Sequence, residues 1–302
     1  MKKLTLLIFF ASALITSCNV YPQDDYEELY VVESYLVANR QLPQVRLSTT
    51  IPADEVYDFE EAAVNDAIIE VRLLANGPES SVEQSFTYSN AETGIYQPDQ
   101  NHAVIPERTY QLHISFPGSN DVITAHTIIP GSFEILGGVA ESVVYQSTKQ
   151  LEITLSESSY PGRQNIFVFN AISFEPDAED LTPFYADVFR DSDDPEEDLT
   201  LLSNNSSGII NEGNFEVNPD GSVTVKYPWI GIAFYGVNDI VANTLDDNVY
   251  DFVRSQQVQL GGSTLSPGEI QNVIYHVDGG IGVFGSLASD TVTTNVERNP
   301  NL

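Results

Sequence analysis

From Leu29 onward, apolar and polar residues alternate in short runs broken every few positions by Gly, Pro, Asn or Asp. A period of two is what strands with one buried face require. Tyr110, Leu112, Ile114 and Phe116 share one face of such a strand, and Gln111, His113 and Ser115 the other. Leu151, Ile153 and Leu155 alternate with Glu152, Thr154 and Ser156 in the same way. Ile166-Phe167-Val168-Phe169 is apolar on both faces, which predicts a strand covered on both sides, by a second sheet and by a loop or domain contact. Val223, Val225 and Tyr227 alternate again before Pro228, whose missing N–H predicts an edge or a bulge. One principal helix is expected near 245–260. Thr244-Leu245-Asp246-Asp247 fits the Ser/Thr-x-x-Asp/Glu capping signature, Val249, Phe252, Val253 and Leu260 fall roughly along one face, and Gly261-Gly262 supplies a stop.

This pattern predicts a mainly β chain. Pro130-Gly131 marks the expected boundary between a small sandwich over 29–130 and a larger β-rich domain over 131–302 that carries the helix. Within the second unit, residues 191–198, running on to Asn204-Asn205-Ser206-Ser207, are polar and turn-prone and read as a mobile excursion.

The first 28 residues break the strand pattern. Met1-Lys2-Lys3 followed by the apolar run Leu4 to Ala13 has the layout of a secretory signal, so residues 1–17 are expected to be removed. The run is far short of the roughly 20 apolar residues a membrane span needs. Leu14-Ile15-Thr16-Ser17-Cys18 ends on the only cysteine and looks like a lipobox, whose cysteine would carry several acyl chains, palmitate among them, and hold the chain stably at a membrane. Plain signal cleavage is the alternative. Residues 18–28 then form an acidic tether, and its Gln23-Asp24-Asp25 run resembles the surface-export signal of Bacteroidota lipoproteins, implying display on the outer face of the outer membrane.

The net charge of −32 argues against nucleic acid and anionic lipid as partners. With Cys18 acylated no disulfide is possible, so the ectodomain must be held by its core.

Val64 to Val71, Gly94-Ile95-Tyr96 and Arg108-Thr109-Tyr110-Gln111-Leu112 resemble an immunoglobulin- or transthyretin-like sandwich of the carboxypeptidase-regulatory type. Leu42 to Ser48, Tyr250 to Ser255 and Asn272 to Gly285 together resemble an uncharacterised family of Bacteroidota outer-membrane lipoproteins. That resemblance implies genes placed beside TonB-dependent receptors and an accessory role in uptake. It implies no catalytic or ligand residues.

Little in the chain points to catalysis or cofactor chemistry. Gly280-Ile281-Gly282-Val283-Phe284-Gly285 satisfies Gly-x-Gly-x-x-Gly, but Ser286 to Thr294 favours a strand over the helix a dinucleotide site needs, so a tight turn between strands is expected. His102, His113, His126 and His276 lack zinc spacing, and no metal or other cofactor is expected. The acidic run 191–198 lacks the register of a calcium loop, leaving calcium as the lesser reading beside a solvated loop. There is no Gly-x-Ser-x-Gly elbow, and no carboxylate pair stands out, so no enzymatic role is expected. Tyr227 and Trp229, flanking Pro228, are the candidate partner-binding aromatics, with a core role as the competing reading. The expectation is a noncatalytic, lipid-anchored accessory or ligand-binding partner of a TonB-dependent barrel. The alternative is a structural subunit of an outer-membrane assembly or secretion complex.

Overall fold

The computed structural model describes residues 26–190, 193–257 and 272–301. It is mainly β, 44% strand and 15% helix. Strands β1 (Tyr30–Val37) and β2 (Val45–Thr49) lead through a short helix α1 (Phe59–Ala62) into β3 (Ile68–Leu74), β4 (Val82–Glu92), β5 (Ile95–Pro98), β6 (Thr109–Ser115) and β7 (Val122–Ile128). Next come β8 (Ile135–Gly137), β9 (Ser142–Val144), β10 (Leu151–Leu155) and β11 (Ile166–Ser173). Two helices come after these, α2 (Pro183–Phe189) and α3 (Pro195–Leu202), then β12 (Asn204–Ser206), β13 (Ile210–Asn211), β14 (Glu216–Val217) and β15 (Val223–Tyr227). The chain closes with β16 (Gly236–Leu245), α4 (Asp247–Gln257), β17 (Val277–Asp278) and β18 (Ile281–Glu297).

Among the described residues the larger sheet has 14 strands, ordered β12-β11-β16-β18-β1-β2-β5-β4-β3-β6-β7-β17, with β13 beside β11 and β9 beside β18. The first and last strands meet in parallel, Val31 opposite Ile281 through Val37 opposite Leu287. Beyond that stretch β18 continues as the antiparallel partner of β16. Meanwhile β17 adds to β7, so the path β18-β1 to β7-β17 returns on itself through the turn at Gly279-Gly280. Hydrogen-bonded pairing therefore joins strands from before and after residue 130.

The alternating positions face as their pattern requires: Tyr110, Leu112 and Ile114 are fully buried, as are Ile153 and Leu155, with Leu151 nearly so. Strand β11 is covered twice. Phe167 and Phe169 point into the main core, against the small sheet β14-β15-β10-β8, where Phe169 meets Tyr227. Ile166 and Val168 join Leu245, Val249 and Val283 beneath α4. The second cover is thus a helix, which the double-sided apolar run could not specify.

Two local expectations are corrected, and the one at Pro228 is met by an edge. Asp246, not Thr244, caps α4: its carboxylate accepts from Val249 N–H at 2.9 Å, while Thr244 still pairs with Ala288 inside β16. At Pro228 there is no bulge: β15 ends at Tyr227 and pairs with β10 throughout, but with β14 only at Val223 and Thr224, so its Val225–Tyr227 end, next to the proline, is an edge as expected. The expected acidic loop is partly helix. Asp194 caps α3 by accepting from Glu197 N–H, and Pro195 takes the first helical position, where its missing N–H costs nothing. The stop at Gly261-Gly262 lies outside the described residues.

Candidate functional site

A recess lies where β11 ends and β16 begins. Ser173 pairs with Asn238 in the last rung, and beyond it the two chains part. Between them is a cavity of about 320 Å³, lined by Phe174, Glu175, Asp180, Tyr235 and Val237 with Ser173 and Gly236 at its base. That volume is at the lower end for small-ligand pockets. Phe174 (61% exposed) and Val237 (52%) stand at the rim.

The inner wall is held by one cation. Arg298, just past β18, donates to Asp180 Oδ1 at 2.9 Å and to the Glu179 carbonyl at 2.5 Å. Its guanidinium carbon also lies 4.4 Å from the centre of the Tyr235 ring. Tyr235 N–H donates to the Asp180 carbonyl at 2.7 Å, tying the 177–180 turn to the start of β16. Burial raises the Tyr235 hydroxyl pKa, with Arg298 opposing, so it stays a neutral phenol. Two apolar rims, a neutral tyrosine and the Glu175 carboxylate make a surface suited to recognition. No nucleophile hydrogen-bonded to a base lines it.

A second polar constellation is closed to solvent. Asp246, 1% exposed, accepts from Thr127 Oγ1 at 2.5 Å, and Thr127 Oγ1 lies 2.6 Å from Ser286 Oγ. Asn248 Nδ2 donates to the carbonyls of His126 (2.6 Å) and Phe284 (2.7 Å). These groups join β7, β18 and the first turn of α4. Desolvation pushes the Asp246 carboxyl up to about 6, against the opposing hydrogen bonds. The sequence holds a signal for its role, since Asp is a strong N-cap, but Thr244 competes for the same assignment two residues earlier.

Cys18, Gln23, Asp24 and Asp25 lie outside the described residues. Tyr227 is 1% exposed, its ring centre 6.2 Å from that of Phe169, so it fills the core. Trp229 opens the single turn Trp229–Gly231 and is half-buried, its ring edge-on to Tyr145 at 5.4 Å. Neither forms an open platform, because the Tyr227 side chain is buried and Trp229 packs against Tyr145. The histidines do not converge: His102 bonds Tyr110 OH (2.8 Å), His126 bonds Gln111 (3.0 Å) and His276 pairs with Asp251 (2.8 Å). Among the described residues no group of three His, Cys, Asp or Glu side chains is arranged to hold a metal. The glycines at 280–285 enter β18, not a helix.

A family model described as a domain of unknown function, DUF4249, matches residues 18–293. No curated protein matches the chain. Among solved structures, Escherichia coli alpha-2-macroglobulin activated by porcine elastase is similar at 9% identity and a TM-score of 0.21, over 73% of this chain and 18% of that one. A protocadherin gammaB7 EC3-6 cis-dimer structure is similar at 10% identity and a TM-score of 0.19, over 91% of this chain and 50% of that one. Superpositions this loose carry no argument about function.

Proposed function

We propose, from the premise that this chain belongs to the DUF4249 family, that it is a surface-displayed, lipid-anchored outer-membrane protein of Bacteroidota type serving as a noncatalytic accessory of a TonB-dependent transporter. The observation that carries the reading is Cys18. It closes the Leu14 to Cys18 lipobox, and the family match begins at that same residue, leaving the basic and apolar leader outside it. No helix among the described residues is long and apolar enough to cross a membrane.

The geometry gives the anchor a consequence. Seven residues lie between Cys18 and Tyr26, so eight chain steps span at most about 29 Å when fully extended. Tyr26 is pinned to Thr50, beside the start of β1 and of β18. Strand β18 then runs 17 residues, roughly 50 Å, to Arg298 at the cleft. An anchored molecule therefore holds the Tyr26 end near the bilayer, with the cleft at the far end of its longest strand. Confinement beside a barrel raises the effective concentration, so a weak contact is highly occupied.

The test is crosslinking in intact cells followed by identification of the attached protein, alongside metabolic labelling with a fatty acid. Recovery of a TonB-dependent barrel, with acyl label lost in Cys18→Ser, is the expected result. Recovery of assembly or secretion machinery instead replaces the transporter reading with that of a structural subunit, and absence of label from the wild-type protein removes the anchor.

A further inference from the structure

Helix α2 is apolar on two faces. Tyr185, Ala186 and Phe189 pack inward against Leu181, Ala233 and Phe234. One helical turn apart on another face, Phe184 and Val188 are 48% and 58% exposed. Helix α3 repeats the arrangement, with Leu199 and Leu202 turned inward and Leu201 64% exposed. Ile230, 52% exposed, extends the patch, since Tyr185 OH donates to its carbonyl at 2.7 Å and the Tyr185 ring lies 5.0 Å from that of Phe184. A helix apolar on both faces is ordinarily covered on both.

We propose that the outer face of α2 and α3, with Ile230 at its rim, docks a basic amphipathic segment of a partner protein. The charge around it selects that occupant. From 174 to 202 the only Lys or Arg is Arg190, already paired with Asp187 at 2.8 Å, and Arg298, which reaches this stretch from beyond β18, is paired with Asp180, whereas Asp187, Glu196, Glu197 and Asp198 lie within a few positions of the exposed apolar residues along the chain. A segment with apolar side chains flanked by Lys or Arg satisfies both features. A second copy does not, because a chain with 44 acidic and 12 basic residues would bring carboxylates against carboxylates. The same charge disfavours an anionic lipid surface.

This surface would supply the ectodomain contact in the proposed function, but it stands on exposure and charge alone and needs no lipid. The experiment uses the chain from Asn19, which contains every element described above, and an amphipathic Leu/Lys peptide as probe. Fluorescence anisotropy should show saturable binding that weakens with salt and falls about tenfold in Phe184→Ser/Val188→Ser, two exposed positions whose change leaves the thermal midpoint in place. Equal binding by that variant, or by a Leu/Glu peptide, overturns the proposal. So does concentration-dependent self-association that the double variant abolishes. Loss of acylation at Cys18 would sink the anchor reading while leaving this result untouched.

Discussion

Asp246 contributes to stability in a sense opposite to that of most carboxylates. Its carboxyl is pushed up to about 6 in the folded protein, against an ordinary 3.8, so the folded state holds the proton more tightly than the unfolded chain does. Stability from this group is fully present at and below about pH 4 and is lost as pH rises through 6, by about 3 kcal/mol for a shift of this size. His102, His113 and His126 act the other way, because desolvation lowers their pKa and protonation in acid opposes folding. The difference between wild type and Asp246→Asn isolates the carboxylate. Asn keeps an oxygen for the Val249 N–H and offers N–H groups to Thr127. Denaturation midpoints across pH 4 to 8 should show Asp246→Asn gaining on wild type as pH rises, and a pH-independent difference would refute the assignment. Nothing local marks Asp246 as buried; its desolvation comes from β7 and β18, remote in sequence.

At the scale of elements, the glycines at 282 and 285 are contact devices. Gly282 has φ +106°, and a methyl there would run into the Val32 carbonyl, so the parallel approach of β1 to β18 depends on its absence. At Gly285 a methyl would meet the Val249 side chain, which anchors α4 on the sheet. Valine is stiff about χ1, so the helix itself must shift. Gly285→Ala should cost about 2 kcal/mol, and Val249→Ala, by vacating the space, should recover part of it. A double-mutant cycle measures the coupling, and simple additivity would contradict the contact. The motif announced a turn and a strand from its own residues; that Gly285 serves a helix from 36 positions earlier was not legible. Helices α2 and α3 carry local signals, since Thr182-Pro183 and Asp194-Pro195 are cap-and-proline pairs, but the surrounding acidic, turn-prone composition pointed to a loop.

Across the whole molecule, the N-terminal strands are completed by the C-terminal ones. A fragment of residues 26–130 would keep β1 to β7 but lose β18 from beside β1, β17 from beside β7 and Ser286 from Thr127. It should melt well below the intact chain, with weak amide protection in β1 and β7; a fragment as stable as the whole would show that the first 130 residues form a self-sufficient unit. The sequence by itself determined the mainly β class, the faces of β6 and β10 and the presence of α4, because those depend on a period of two or on a helical stripe that follows a capping residue. It also holds the acidic balance as a fact of composition. Tertiary structure alone decided which strands are neighbours, why Asp246 is buried, that Tyr227 faces the core and that Phe174 and Val237 frame a cleft. Each of these requires residues tens to hundreds of positions apart to meet in one register, and a local period specifies the face a side chain takes without specifying what that face will find.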